Sequence, residues 1–314
     1  MVSLAEIQAA RVRIAPYIRR TPVLEAKALR KTVPSGKLWL KLEQLQVSGS
    51  FKVRGAVNKL LSTPSEALQR GVITASGGNH GLAVAYVGHL ASVPAFIYLP
   101  HNAPLSKAEK LRAWCAEVVV HGDVWDDANA AALERAEREG MTYIHPFADP
   151  AVIAGQGTLA LEVLEDLPQV DALLVAIGGG GLISGIARAA KALKPSVRVI
   201  GVEPTGAPTL KASLAANAVV VLPEISTRAN TLAPRQSAQI NFEIIRQYVD
   251  DIVLVSDEAM LEAARWLWFE LGIAAELSGA AATAALLSGA FIPHPEETVC
   301  AFVCGAGTDG ISFV

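Results

Sequence analysis

Ala172-Leu173-Leu174-Val175-Ala176-Ile177-Gly178-Gly179-Gly180-Gly181-Leu182-Ile183 reads as an apolar strand, a glycine turn and the start of a helix. The six apolar residues do not alternate with polar ones, the pattern of a strand covered on both faces. Other runs of that kind recur at 37–42, 72–75, 95–99, 117–121, 197–202, 252–255 and 299–303. Between them lie Ala-rich amphipathic stretches at 81–90, 105–114, 126–139, 153–164, 183–193, 257–271 and 280–287. Strand and helix in alternation predict an α/β protein, with open, mostly parallel sheets flanked by helices. Asp149 before Pro150, and Ser256 before Asp257-Glu258, are expected helix caps. Pro-bearing stretches near Pro64 and at 146–150 bracket the middle units. They divide the chain into a large domain, 1–65 with 149–314, and a small inserted domain, 66–148, with a cleft between them.

The bulk composition narrows the function classes. A chain of 314 residues, 52% hydrophobic and 18% charged, has ample material for two cores. A net charge of −3 gives no basic surface for nucleic acid. The apolar tracts are broken by the four glycines or by Glu276, short of the ~20 residues a membrane helix requires. The sequence has no signal-peptide pattern, and Cys115, Cys300 and Cys304 have neither disulfide nor metal-ligand spacing. A reducing cytoplasm is expected, with Cys115 and Cys300 as small buried hydrophobes.

Four segments carry candidate chemistry. In Gly178-Gly179-Gly180-Gly181 backbone N–H groups converge at a helix N-terminus, a cradle for a small phosphate monoester. A ligand-free tight turn is the alternative, and the spacing fits neither a dinucleotide loop nor a P-loop. Thr74-Ala75-Ser76-Gly77-Gly78-Asn79-His80-Gly81 offers N–H groups, a hydroxyl, an amide and an imidazole for a small carboxylate, or simply a helix cap. Ser48-Gly49-Ser50-Phe51-Lys52-Val53-Arg54-Gly55-Ala56 sets a lysine at the start of a helical run, where partial positive charge favours the neutral, nucleophilic amine. The competing reading of Lys52 is one solvated charge among 27 Lys and Arg. Phe302-Val303-Cys304-Gly305-Ala306-Gly307 ends a strand at Cys304, where α/β proteins place ligands.

Taken together, these motifs resemble the fold-type II pyridoxal-phosphate enzymes, in the threonine/serine dehydratase and serine racemase branch. Leu40-Lys41-Leu42-Glu43, His145-Pro146-Phe147 and 152–158 extend the match over nearly the whole chain. The resemblance implies a two-domain, tryptophan synthase β-like fold with pyridoxal 5'-phosphate in the interdomain cleft. It implies that Lys52 bonds to the cofactor's aldehyde, with Phe51 beside it and Asn79 on the phenolic oxygen. Gly178, Gly179, Gly180, Gly181 and Leu182 would wrap the phosphate, and Cys304 would face the ring nitrogen. Ser76, Gly77, Asn79 and His80 would form the substrate-carboxylate turn. A homodimer, acting on a small amino acid and on neither nucleic acid nor membrane, follows from the same resemblance.

Departures from the family pattern refine the expectation. Glycine at 77, where racemases have an acid/base serine, disfavours racemisation. Cysteine at 304 replaces a common serine. Glu203 and the Ala207 carbonyl match a divalent-cation site, but Thr209 replaces its acidic ligand, so a divalent or monovalent cation is doubtful. Segment 227–235 lacks the usual acidic-Gly pair and is expected to border the substrate pocket, where Arg228 or Arg235 would meet an extra substrate carboxylate or a ring, unless both are ordinary surface charges. The expected activity is dehydration of an L-hydroxy amino acid to a 2-oxo acid and ammonia. The alternatives are a lyase for another β-substituted amino acid such as hydroxyaspartate or phenylserine, a racemase, or a non-enzymatic cofactor carrier or nucleotide-binding protein.

Overall fold

A computed structural model describes residues 2–28, 30–33, 36–101 and 105–311. The strands are β1 (Val23–Glu25), β2 (Lys37–Leu42), β3 (Val72–Ala75), β4 (Ala95–Leu99), β5 (Glu117–Val120), β6 (Thr142–Tyr143), β7 (Ala172–Ala176), β8 (Arg198–Pro204), β9 (Asp251–Val255) and β10 (Thr298–Val303). They form a six-stranded sheet ordered β1-β2-β10-β7-β8-β9 and a four-stranded sheet ordered β5-β4-β3-β6. Every pairing is parallel except β1 with β2.

In the large sheet the path β7, β8, β9 steps one way and the return to β10 steps back. Right-handed crossovers therefore place helix Gly181–Leu193 and helix Leu277–Leu287 on opposite faces. The second of these lies across β10, β7, β8 and β9. Residues 172–175 between the two layers are fully buried, which is why the strand shows no polar alternation. In the small sheet the two faces separate with period two. Ile73, Ala75, Phe96 and Tyr98 pack on Ala128, Ala132 and Ala136 of helix Trp125–Glu139. Val72, Ala95, Ile97 and Leu99 face the other core, with Val53, Val57, Leu82 and Val84.

Chain reversal between β10 and β7 creates a switch point, and the segments following both strands emerge there side by side. Open α/β sheets bind ligands at such a place. The two expected caps are present: Asp149 accepts from the N–H groups of Ala151 and Val152, and Ser256 from that of Ala259. Helices Leu4–Ile14, Thr209–Ala216 and Gln239–Tyr248, and strands β1 and β6, add to the elements read from sequence. Cys115 corrects the expectation of a buried hydrophobe: it is exposed, at φ 61°, in the turn before β5. Cys300 is buried inside β10 as expected.

Candidate active site

Lys52 opens helix Lys52–Ser62, and the turn before it is made by Ser48 at φ 63° and Gly49 at φ 80°. That turn lies against the segment following β10. The Phe51 N–H donates to the Cys304 carbonyl at 3.3 Å and the Ala306 N–H to the Gly49 carbonyl at 2.8 Å, while Ser50 bridges Gly305. The lysine is half-buried, its Nζ donating to the Pro146 carbonyl at 2.7 Å and lying 5.2 Å from the Phe51 ring centre. Burial pulls its pKa down to about 8, against the opposing pull of Cys304 and Glu276. The amine is thus poised to lose its proton near neutrality.

Two residues beyond, Arg54 is fully buried and anchors the helix. Its guanidinium donates to both oxygens of Glu43 at 2.8 Å and to Glu162 at 2.7 and 3.0 Å. Lys41 on β2 reaches the same Glu162 at 2.5 Å. Two cations and two carboxylates balance one another, which makes their burial tolerable.

The glycine loop after β7 runs into helix Gly181–Leu193, with Gly180 at φ 92°. Among the described residues, none of the N–H groups of residues 178–183 has an acceptor in the chain. The loop is fixed from behind: the Gly179 carbonyl accepts from Asn241 Nδ2 at 2.7 Å and Ser237 Oγ at 2.9 Å. A Cβ on Gly179 would lie 2.2 Å from the Phe147 ring, so only glycine lets that ring pack there. Clustered N–H groups at a helix N-terminus attract an anion.

At the end of β3, the Gly78 N–H donates to Ser76 Oγ at 3.3 Å, and Asn79 Nδ2 donates to Glu276 Oε1 at 2.6 Å. His80 is buried, with Nε2 at 2.9 Å from the Ile144 carbonyl. Burial, then the charge of Lys52, lowers its pKa to about 3, so the neutral ring donates to that carbonyl. His80 therefore offers a ligand its backbone N–H and not its imidazole. His145 is likewise neutral, lowered by burial to about 4, and its Nδ1 accepts from the N–H groups of Phe147 and Ala148. Its proton is left on Nε2. Cys304, just past β10, donates its S–H to the Ser278 carbonyl at 3.4 Å, and burial raises its pKa far above the ordinary thiol value. It stays neutral.

The outlying residues are engaged in structure. Glu203 accepts from the N–H groups of Leu210 and Lys211 at 2.7 and 2.9 Å, capping helix Thr209–Ala216, and burial raises its pKa to about 7. Thr209 donates to the Pro234 carbonyl at 2.7 Å, and Ala207 is buried. The described residues include no group of three or more His, Cys, Asp or Glu able to hold a metal ion. Arg228 pairs with Asp257 and Glu258, and Arg235 donates to the carbonyls of Leu222 and Pro223.

Lys52, the glycine loop, the 76–80 turn and Cys304 converge through shared neighbours. Pro146 and Phe147 touch Lys52 and Gly179; Glu276 touches Asn79 and lies against Gly305. Thr231 lies in the 227–235 segment expected to border the substrate pocket, whereas Glu276, Asn241, Ser237 and Ser278 were not singled out by the sequence motifs as site residues. Of the latter, only Glu276 left a trace there, as the charge interrupting an apolar tract.

A doubly wound α/β protein with an amine, an anion cradle and a neutral thiol at one switch point has the form of a cofactor-dependent enzyme that works on carbonyl chemistry. The family model for pyridoxal-phosphate dependent enzymes matches residues 14–305, and the chain belongs to that family. It is 40% identical to the L-threonine ammonia-lyase of Thermotoga maritima over 288 residues, 92% of this chain and 72% of that protein. It is 37% identical to the serine racemase of Oryza sativa subsp. indica over 308 residues, 96% and 90% of the two chains. The crystal structure of the T.th. threonine deaminase superposes with a TM-score of 0.91 at 39% identity, covering 99% of each chain.

The residues fit pyridoxal phosphate chemically. The unclaimed N–H groups of residues 178–183 suit its phosphate, the weakly basic amine of Lys52 its aldehyde, and the un-ionised thiol of Cys304 a ring nitrogen.

Proposed function

We propose that this chain is a pyridoxal-phosphate-dependent dehydratase acting on an L-β-hydroxy amino acid of the serine or threonine kind. The carbon–oxygen bond at Cβ breaks, and hydrolysis of the released enamine gives a 2-oxo acid and ammonia. The observation that carries this reading is the half-buried Lys52 amine, with its pKa near 8, held against the segment of Cys304. The similarity to L-threonine ammonia-lyase supports it.

When bound, the cofactor serves as the sink for the electron pair left on Cα. Lys52 would hold its aldehyde, and its amine, with a pKa of about 8, would be the base for the Cα proton. Phe51 packs beside that amine. The N–H groups of Gly178, Gly179, Gly180, Gly181 and Leu182 would hold the phosphate, and Asn79, oriented by Glu276, would donate to the phenolic oxygen. Ser76, Gly77, Asn79 and the backbone of His80 receive the substrate carboxylate at a helix N-terminus. Neutral Cys304 would give a ring nitrogen no counter-charge, which favours loss of the β-hydroxyl, protonated as it departs as water, over storage of negative charge. Gly77 supplies no acid on the face opposite Lys52, which favours elimination over racemisation.

We assign Glu203 to capping its helix rather than, with Ala207, to a cation. The small domain is taken as 66–148, inserted between 1–65 and 149–314. Work as a homodimer in a reducing cytoplasm completes the reading, and the three free cysteines are compatible with that compartment. Among the described residues no helix is long and apolar enough to cross a membrane.

The test is release of keto acid from L-serine and L-threonine by the holoenzyme. Release that disappears in Lys52→Ala, together with the visible absorption band of the lysine-bound cofactor, is the expected result. No keto acid from either amino acid, with the band intact, would overturn it.

A further inference from the structure

Thr231 stands where three parts of the site meet. Its Cγ2 is 3.3 Å from the position a Cβ on Gly78 would take, and its carbonyl is 2.7 Å from the corresponding position on Gly178. Its hydroxyl is hydrogen-bonded to that of Ser278, the residue whose carbonyl accepts the Cys304 S–H. Thr231 is nevertheless exposed, whereas Ser278 behind it is buried. An exposed side chain wedged between the 76–80 turn and the glycine loop lines the cleft itself. A substrate with its carboxylate on the turn and its amine towards Lys52 must lodge its β-substituent against a remaining wall.

The chemistry of that wall is specific. It presents one methyl group and a pair of hydroxyls already bonded to each other. It presents no charge from its own segment, because Arg228 is turned to Asp257 and Glu258, and Arg235 to the carbonyls of Leu222 and Pro223. A second carboxylate would meet no cation from this segment, and the threonine methyl, close to Gly78, narrows the room for a ring. A hydroxyl or hydroxyethyl group fits both the size and the polarity.

We propose that Thr231 is a specificity-determining residue, whose methyl limits the size and whose hydroxyl pair with Ser278 sets the polarity of the space for the substrate's β-substituent. The substrates are then small, neutral β-hydroxy amino acids, and not hydroxyaspartate or phenylserine. This inference rests on the dehydratase reading above.

The test compares kcat/KM for L-serine, L-threonine, L-hydroxyaspartate and L-phenylserine in the holoenzyme and in Thr231→Gly, Thr231→Ser and Thr231→Val. In the parent enzyme serine or threonine is expected to exceed the other two by about tenfold or more. Thr231→Gly is expected to raise the phenylserine-to-serine ratio by about tenfold, and Thr231→Ser, which keeps the hydroxyl and drops the methyl, to raise it too. Thr231→Val keeps the shape and is expected to lower kcat/KM for serine with the ratio little changed. The cofactor's absorption band reports that each variant is folded and loaded. Keto acid from serine or threonine with the ratio unmoved in both Thr231→Gly and Thr231→Ser overturns the role of Thr231 alone. No keto acid from any of the four overturns the dehydratase reading, and this proposal with it.

Discussion

At the scale of single residues, the role proposed for Lys52 makes its proton state the control on both cofactor capture and chemistry. Its folded pKa of about 8 lies below the ordinary lysine value because the cleft desolvates the ammonium. A depressed lysine pKa means the reactive amine appears as pH rises through that value. The rate at which apoprotein takes up pyridoxal phosphate is therefore expected to climb with pH and level off with a midpoint near 8. Stopped-flow absorbance checks this, and a midpoint near the ordinary lysine value of 10.5 would mean the amine is solvated. In the sequence the lysine stood out as a cation at a helix start, in conflict with the helix dipole, and only the companion motifs and the family resemblance set it apart from a surface charge. His80 was legible only in part: its place in the turn could be read, but not that its ring is engaged by Ile144. Glu276 was not legible as a site residue, since it comes from a distant segment and its role exists only through contacts made by folding, and Thr231 was legible only as part of the 227–235 segment expected to border the substrate pocket.

At the scale of elements, the glycine loop depends on what stands behind it. Asn241 and Ser237 both donate to the Gly179 carbonyl, which keeps the N–H side of the loop turned the other way. Asn241→Ala removes one of these donors and is expected to weaken cofactor binding by about tenfold, the effect of about one hydrogen bond to a preorganised loop. Gly179→Ala drives a methyl into the Phe147 ring and is expected to weaken it further. Fluorescence titration of apoprotein with pyridoxal phosphate measures both. The strand–glycine–helix sequence announced this loop, whereas the supporting helix Gln239–Tyr248 carries no motif that ties it to the site. Short edge strands such as β1 and β6 were missed for a related reason: two or three residues are too few to display a period.

At the scale of the whole molecule, a neutral but buried charge cluster ties the lysine helix to the large sheet. Arg54 links Glu43, which follows β2, to Glu162 on helix Pro150–Asp166. Arg54→Met leaves two buried carboxylates with Lys41 as their only cation in the cluster, and is expected to cost about 3–5 kcal/mol. A chemical-denaturation midpoint close to the parent's would contradict that. The alternation of strand and helix disclosed both sheets, but the pairing of four charges from separate elements is a product of topology that no local pattern encodes. The same topology puts the amine of Lys52 at the switch point, and glycine at 77. Incubation of the holoenzyme with L-serine, with pyruvate and D-serine followed together in one reaction, tests this arrangement most directly. Pyruvate far in excess of D-serine throughout is the expected result, and D-serine forming at a rate matching pyruvate would contradict it.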